Sequence, residues 1–285
     1  MTILELWEAF KAERSLVVSP TTTTSTWTQV TAYLSRCPFQ DPEQEARLAM
    51  VWVLQQQPAK SAKRVAQYLK TLFRWAASED VALISRNPVA SFSLPKEEQK
   101  EEPIVIPKAA QDDVLAALRA VSIHQSKWDL VANFQLQLGL RTAEVFGLQW
   151  SDVDLEGKRC KIHQNMTLTH GLQSRTKTRK VRWVPLNDVA VRILEVMQMM
   201  HNEGFVFPWK RQTYQTSFRS AMRRLFDSGV IKHRYRPYDL RHTFISSLLE
   251  QGIPVTQVAR WAGNSPQMCW EHYAGTTNHY ELPVV

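Results

Sequence analysis

The segment Ser93-Leu-Pro-Lys-Glu-Glu-Gln-Lys-Glu-Glu-Pro103 constrains the folding of this chain more than any other. It is polar and bounded by prolines, which break helices and favour extended backbone. Residues 96–106 therefore read as a linker, and two folding units are expected, 1–95 and 107–285. A chain of 285 residues, 44% hydrophobic and 22% charged, can build a core on each side of it.

Ahead of the linker the apolar spacing predicts helices over Ile3 to Glu13, Thr26 to Leu34 (after a Ser/Thr-rich turn at 19–25), Glu43 to Gln56 and Ser61 to Ser78. In the last of these Val65, Leu69, Leu72, Phe73 and Trp75 fall close to helical spacing, with Lys63, Arg64, Lys70 and Arg74 between them. Those four charges read either as a DNA-binding face along phosphates or as a solvated surface over a core. Beyond the linker, Gln111 to Val121 and Trp128 to Leu138 read as helices, the second closing at Gly139, a residue suited to a left-handed cap. Residues 159–169 and 180–186 hold β-branched and aromatic residues in short runs around Gly171, which predicts a small sheet with a hairpin. Helical patterns return at Val189 and persist to about Ala274. The fold class is mainly α with a small antiparallel β-sheet.

Charge is unevenly placed. Residues 1–100 carry 12 basic and 10 acidic groups, whereas residues 175–241 carry 15 and 5, a local excess expected of a polyanion-binding face. The three cysteines, Cys37, Cys160 and Cys269, are far apart, without zinc or disulfide spacing, and read as thiols in a reducing compartment. The N-terminus is acidic where a secretory signal needs a basic start, and no apolar run reaches membrane-spanning length. An intracellular protein without a membrane partner is expected. His163 and His170 read as strand and turn residues rather than ligands, and with no phosphate-binding glycine loop and no metal-ligand spacing in the sequence, no metal or other cofactor is expected.

Four segments bring together the side chains of phosphoryl chemistry. In Gly139-Leu-Arg-Thr-Ala-Glu-Val-Phe-Gly-Leu-Gln-Trp150, Arg141 stands at a helix start after a glycine turn, where amide donors also face an anion. In Arg175-Thr-Lys-Thr-Arg-Lys-Val-Arg-Trp-Val-Pro-Leu186, Lys177 falls at the expected hairpin tip, with Arg175, Arg179, Lys180 and Arg182 as further DNA-binding cations. In Arg236-Pro-Tyr-Asp-Leu-Arg-His-Thr-Phe-Ile-Ser-Ser-Leu-Leu-Glu-Gln-Gly252, Asp239 reads as the N-cap and Gly252 as the stop, with Leu240, Phe244 and Leu248 as the buried stripe and Tyr238 and Arg241 near the helix entrance. The last, Trp261-Ala-Gly-Asn-Ser-Pro-Gln-Met-Cys-Trp-Glu-His-Tyr273, reads as a glycine turn and a short helix that ends on the tyrosine.

In order and spacing these four segments resemble the catalytic domain of the tyrosine recombinases, the phage integrase family. Gly139-Leu-Arg141 with Glu144 is similar to the family's first-arginine box, Lys177 to its hairpin lysine, and Asp239-Leu-Arg-His-Thr243 to its second-arginine box. Tyr273 follows Asn264 as the family's tyrosine follows its Gly-His turn. Residues Gln67 to Pro95, with Phe73-Arg-Trp-Ala76 and Asn87-Pro88, resemble the end of the family's helical core-binding domain. Two positions depart from the pattern: Tyr238 stands where most members have histidine, and Asn264 where they have histidine or tryptophan.

The resemblance implies a two-domain DNA clamp, with 1–95 the core-binding domain and 107–285 the catalytic domain. It implies that Tyr273 attacks and becomes a 3′-phosphotyrosine, Arg141 and Arg241 clamp the phosphate, Lys177 protonates the leaving 5′ oxygen, and Asn264 and Tyr238 act as secondary donors. Double-stranded DNA with a specific recombination site is the implied partner, bound by a homotetramer on synapsed sites and a monomer otherwise, with a directionality factor as a further partner. The implied setting is the cytoplasm of a bacterial or phage-infected cell, at the nucleoid. The alternatives are a catalytically attenuated DNA-binding relative and a type IB topoisomerase-like enzyme, which shares the chemistry. The residues after Tyr273 are expected either to dock as an apolar tail on a neighbouring subunit or to fray or dock on their own subunit.

Overall fold

The computed structural model describes residues 1–95, 102–122, 126–173 and 181–273, without the side chain of His272. It divides into two compact units, Met1–Gln99 and Lys100–Val285.

The first unit is helical: α1 (Ile3–Arg14), a π-helical turn (Thr22–Trp27) running into α2 (Thr28–Leu34), α3 (Ala46–Gln55) and α4 (Ala59–Ala76). At the start of α1 the Thr2 hydroxyl accepts from the Glu5 amide and the Glu5 carboxylate accepts from the Thr2 amide, at 3.1 and 2.7 Å, a reciprocal cap. The expected turn at 19–25 is largely helical instead. The Thr24 and Thr28 hydroxyls donate to the carbonyls of Pro20 and Thr24, at 3.0 and 2.9 Å, and so are satisfied within the helix rather than diverting the chain. Leu6, Trp7, Val30, Met50, Leu69 and Phe73 are wholly buried in one core. Helix α4 buries the five apolar residues its periodicity marks and leaves Arg64 and Arg74 exposed and Lys63 half-buried. Lys70 is tied down: its Nζ donates to the Phe92 carbonyl at 2.6 Å, anchoring the segment that follows the helix.

The second unit contains α5 (Lys108–Ala120), α6 (Trp128–Leu138), α7 (Thr142–Val145), β1 (Val153–Asp154), β2 (Arg159–Ile162), β3 (Asn165–Thr167), β4 (Gly171–Gln173) and β5 (Arg182–Pro185). Helices α8 (Asp188–Met200), α9 (Arg211–Asp227), α10 (Pro237–Glu250), α11 (Val255–Ala262) and α12 (Pro266–Tyr273) complete it. Strands β1, β2 and β5 form an antiparallel sheet in that order, with Cys160 opposite Val184 and Ile162 opposite Arg182, while β3 and β4 pair separately. The described hairpin turns at 168–170, ahead of Gly171. Lys177, expected at a hairpin tip, lies between β4 and β5 and outside the described residues.

Trp128, Phe134, Phe146, Phe207, Tyr214 and Phe218 fill the main core, which Ile104 and Ile106, just beyond Pro103, also join. The Ile106 amide donates to Thr243 Oγ1 at 2.9 Å, so the chain that enters this unit is fastened to α10. Asp239 does not cap α10. Its carboxylate reaches back from the third helical position to accept from the Arg236 amide at 2.7 Å, with Pro237 at the first position, where a proline lacking an amide hydrogen fits. Nor is the buried face of α10 a stripe of Leu240, Phe244 and Leu248: Phe244 and Leu248 are half-buried, while Arg241, Thr243, Ile245, Ser246 and Leu249 are buried. The helix is enclosed on several sides because α6, α11 and α12 all pack on it.

Candidate active site

Helix α6 stops at Gly139, whose φ of 62° is left-handed. A Cβ there would lie 2.1 Å from Phe244 Cδ1, so both the backbone angle and the approach of α10 require glycine. The Gly139 carbonyl accepts from Arg241 Nη1 at 2.7 Å. Two residues on, Arg141 precedes α7, and the Glu144 carboxylate accepts from both its amide, at 2.9 Å, and its Nη1, at 3.0 Å.

A second glycine turn meets the first. Helix α11 ends at Gly263, φ 70°, where a Cβ would lie 2.7 Å from the Arg182 guanidinium carbon. The Gly263 carbonyl accepts from Arg141 Nη2 at 2.8 Å and the Trp261 carbonyl accepts from Arg182 Nε at 2.9 Å. Two cations thus satisfy carbonyls at a helix C-terminus, the end that favours positive charge. Next comes Asn264, whose Oδ1 accepts from Arg141 Nη2 at 3.0 Å and from Arg241 Nη2 at 2.7 Å. Two guanidinium groups therefore converge on one oxygen. Sequence alone cast Asn264 as a donor; in the structure it is an acceptor, because guanidinium groups only donate and the amide must face them with its oxygen.

Glu144 is the hub beneath this pair. Arg182 grips its carboxylate through two bonds, Nη1 to Oε1 at 3.0 Å and Nη2 to Oε2 at 2.8 Å, and both side chains are buried. Burial pushes a carboxyl upward, yet Glu144 is held below its ordinary range, since the hydrogen bonds and charge of Arg182 and the charges of Arg141 and Arg241 outweigh desolvation. Arg182, expected on DNA, is therefore an internal strut, 8% exposed, with its donors committed to Glu144 and Trp261. Burial and the neighbouring Arg141 charge lower the affinity of Arg241 for its proton, the burial being the larger effect.

Tyr273 ends α12 with 3% exposure, and its hydroxyl is hydrogen-bonded to His242 Nδ1. Burial raises the phenol above its ordinary pKa, and the positive charge of Arg241 offsets part of that rise. Tyr238, 43% exposed, packs edge-on against the His242 ring with centroids 4.8 Å apart. Cys269 is buried beside Asn264; burial raises its pKa and the Asn264 hydrogen bond works against the rise.

The structure thus gathers Arg141, Arg241, Asn264, Tyr238 and Tyr273, and adds Glu144 and His242, which sequence reasoning left without roles, and Arg182, which it had placed on DNA. Each had a signal: Glu144 three residues past a cap position, Arg182 in phase with inward-facing Val184, and His242 one helical turn past Tyr238. Arg175, Lys177, Arg179 and Lys180 lie outside the described residues. A groove of about 610 Å³ lined by Arg219, Arg223, Arg234 and Arg236, between α9 and the entry to α10, is a basic surface that sequence reasoning counted but did not locate. His163 Nε2 pairs with Asp152 Oδ1 at 2.9 Å. Among the described residues no group of three or more His, Cys, Asp or Glu could hold a metal ion, and no helix is long and apolar enough to cross a membrane.

Known proteins share this arrangement of elements. The integrase of Salmonella phage P22 is 25% identical over 230 residues, a match that covers 74% of this chain but about half, 53%, of that integrase. The Tn1549 transposon integrase, solved with circular intermediate DNA, superposes with a TM-score of 0.77 at 19% identity, covering 96% of this chain and 95% of the other. Lambda integrase, solved as a tetramer on a Holliday junction, superposes with a TM-score of 0.72 at 16% identity over 100% of this chain and 80% of the other, so the fold is the same. Residues 109–279, more than half of the chain and spanning every element of the site from α6 to α12, match the phage integrase family: the chain belongs to that family.

Proposed function

We propose that this chain is a site-specific DNA recombinase that cleaves and rejoins DNA strands through a covalent bond to Tyr273. The observation that carries this reading is the meeting of Arg141 Nη2 and Arg241 Nη2 on one oxygen, with the Tyr273 hydroxyl bonded to the residue next to Arg241. Guanidinium donors that converge on a neutral amide oxygen are arranged for a more negative one, and a non-bridging phosphate oxygen takes the place of Asn264 Oδ1 when DNA binds. Held so, the phosphate offers its phosphorus to Tyr273. The Tyr273–phosphorus bond forms, the bond to the 5′ oxygen breaks, and, by the family resemblance, Lys177 protonates the departing oxygen. The phosphotyrosine keeps the energy of the phosphodiester, so a 5′ hydroxyl of another strand reverses the step without ATP.

Duplex DNA is the proposed substrate. Phosphate contacts fall to Lys63, Arg64 and Arg74 on α4, to the arginines of the α9 groove, and to Arg175, Arg179 and Lys180. Residues 1–95 act as the core-binding domain and 107–285 as the catalytic domain. Recombination proceeds in a homotetramer on two synapsed sites in the cytoplasm, with direction set by an accessory factor.

Nicked suicide duplexes tiled across the DNA that flanks the gene test the proposal. Wild-type protein is expected to form a denaturant-stable protein–DNA adduct on one of them, absent in Tyr273→Phe. Arg241→Ala should reduce it by about 10²-fold or more, the usual effect of removing a donor from a developing anion. Tight duplex binding with no adduct would leave a DNA-binding protein only and overturn the enzyme reading.

A further inference from the structure

A phenol with 3% exposure attacks phosphorus only once its proton has a base within hydrogen-bond reach. Tyr238, at the helix entrance, is itself a phenol and carries no basic nitrogen. One turn further along α10, on the same face, stands His242, and its Nδ1 meets the Tyr273 hydroxyl with the two rings 5.7 Å apart. The Tyr238 ring lies edge-on to the imidazole at 77°, bracing it from the side of the preceding turn.

The geometry points to His242 as the catalytic base that takes the Tyr273 proton during strand cleavage, with Tyr238 as the positioning residue that holds the imidazole; this assignment rests on Tyr273 being the nucleophile. Nδ1 accepts only in the neutral ring that carries its proton on Nε2. As the Tyr273–phosphorus bond forms, the phenol O–H bond breaks and its proton passes to Nδ1, leaving an imidazolium. The departing 5′ oxygen takes a proton from Lys177, so one positive charge moves from the lysine to the histidine and none is created. In religation the phosphotyrosine bond breaks and the imidazolium returns the proton to the phenolate oxygen. Base and phosphate clamp are consecutive residues of one helix, His242 and Arg241, so a single rigid element fixes the distance between the proton acceptor and the phosphate.

The test uses the full chain and a nicked duplex on which the wild type forms adduct, together with the same duplex bearing a 5′-bridging sulfur, whose departure needs no proton. His242→Ala and His242→Gln are expected to slow adduct formation by about 10²-fold or more, while band-shift affinity for the duplex stays at the wild-type level. The sulfur duplex should restore Lys177→Ala and leave both His242 variants slow, and added imidazole should accelerate His242→Ala, a response that a merely structural histidine would not give. His242→Ala adduct formation within about threefold of the wild type, its restoration by the sulfur duplex, or a slow His242→Ala indifferent to imidazole would each overturn the assignment. If the alanine variant does not fold, the glutamine variant on the sulfur duplex decides: slow supports the base, restored overturns it. Tyr273→Phe separates the two readings, because adduct formed by that variant overturns the nucleophile itself, whereas its loss beside an unaffected His242→Ala overturns only the base.

Discussion

At the scale of single residues the site is a contest for donors. Asn264 offers one oxygen to two guanidinium groups, and the proposed phosphate seat requires that this neutral oxygen give way to an anionic one. Asn264→Asp puts a carboxylate at the same point, pairs both arginines within the protein and repels the substrate. We expect its adduct yield on the suicide duplex to fall by about two orders of magnitude, with the fold intact; yield equal to wild type would show that the phosphate does not use that seat. Beneath, the Arg182–Glu144 pair is scaffold. Arg182→Ala strands a buried carboxylate with a reduced share of positive charge and should lower stability by about 3–5 kcal/mol in chemical denaturation, the usual result of breaking a buried pair from one side. Since the Glu144 carboxyl sits below its ordinary 4.5 in the folded state, its contribution is complete above that pH and is lost as pH falls through the lowered folded value. The gap in melting temperature between wild type and Glu144→Gln should therefore be widest near neutral pH and narrow below 4.5, as calorimetry across a pH series would show.

At the scale of elements, the turns and the helix faces do separate work. Gly139 ends α6, lets α10 approach and supplies the carbonyl that orients Arg241. Gly139→Ala meets both a left-handed φ and the Phe244 ring 2.1 Å away, so it should destabilise by more than about 1 kcal/mol and depress adduct formation even where the protein remains folded. On α4 the cations are not equivalent. Arg64 and Arg74 are exposed, whereas Lys70 is bonded to the Phe92 carbonyl. Removing Arg64 or Arg74 should lessen the slope of log affinity against log salt by about 0.9 for each phosphate left without its cation; Lys70→Ala should leave the slope and lower the melting temperature. An unchanged slope in all three would take α4 off the DNA.

At the scale of the whole molecule, the two units draw their cores from separate stretches of chain. Every residue of the first core lies between Ile3 and Val89, and the core that holds α5 to α9 and the start of α10 begins at Ile106. Residues 1–95 expressed alone should therefore give a cooperative helical melt by circular dichroism; an unfolded fragment would mean that the first unit depends on the second. Among the described residues, the side chains and turn carbonyls of the site come from the second unit: α10 contributes Tyr238, Arg241 and His242, and the others stand on or beside α6, α7, β5, α11 and α12. A fold with a TM-score of 0.77 to a transposon integrase at 19% identity shows how little of the sequence that scaffold needs.

The amino-acid sequence by itself located most of the elements and several of the side chains that the structure brings together. Apolar periodicity set α6 at Trp128–Leu138 with Gly139 as its cap, and the charged and phenolic positions of the site were readable because each stands beside a local signal, a glycine turn or a proline-led helix start. What only the tertiary structure decided was direction and pairing. Arg182 looked like any surface cation until β5 turned it inward onto Glu144, a residue 38 positions away. Asn264 proved an acceptor only once two distant arginines stood in front of it, and His242 met Tyr273 only because α12 folds back on α10. Local spacing dictates which face of a helix or strand a residue occupies, but the partner on that face comes from another part of the chain, and no local preference carries that information.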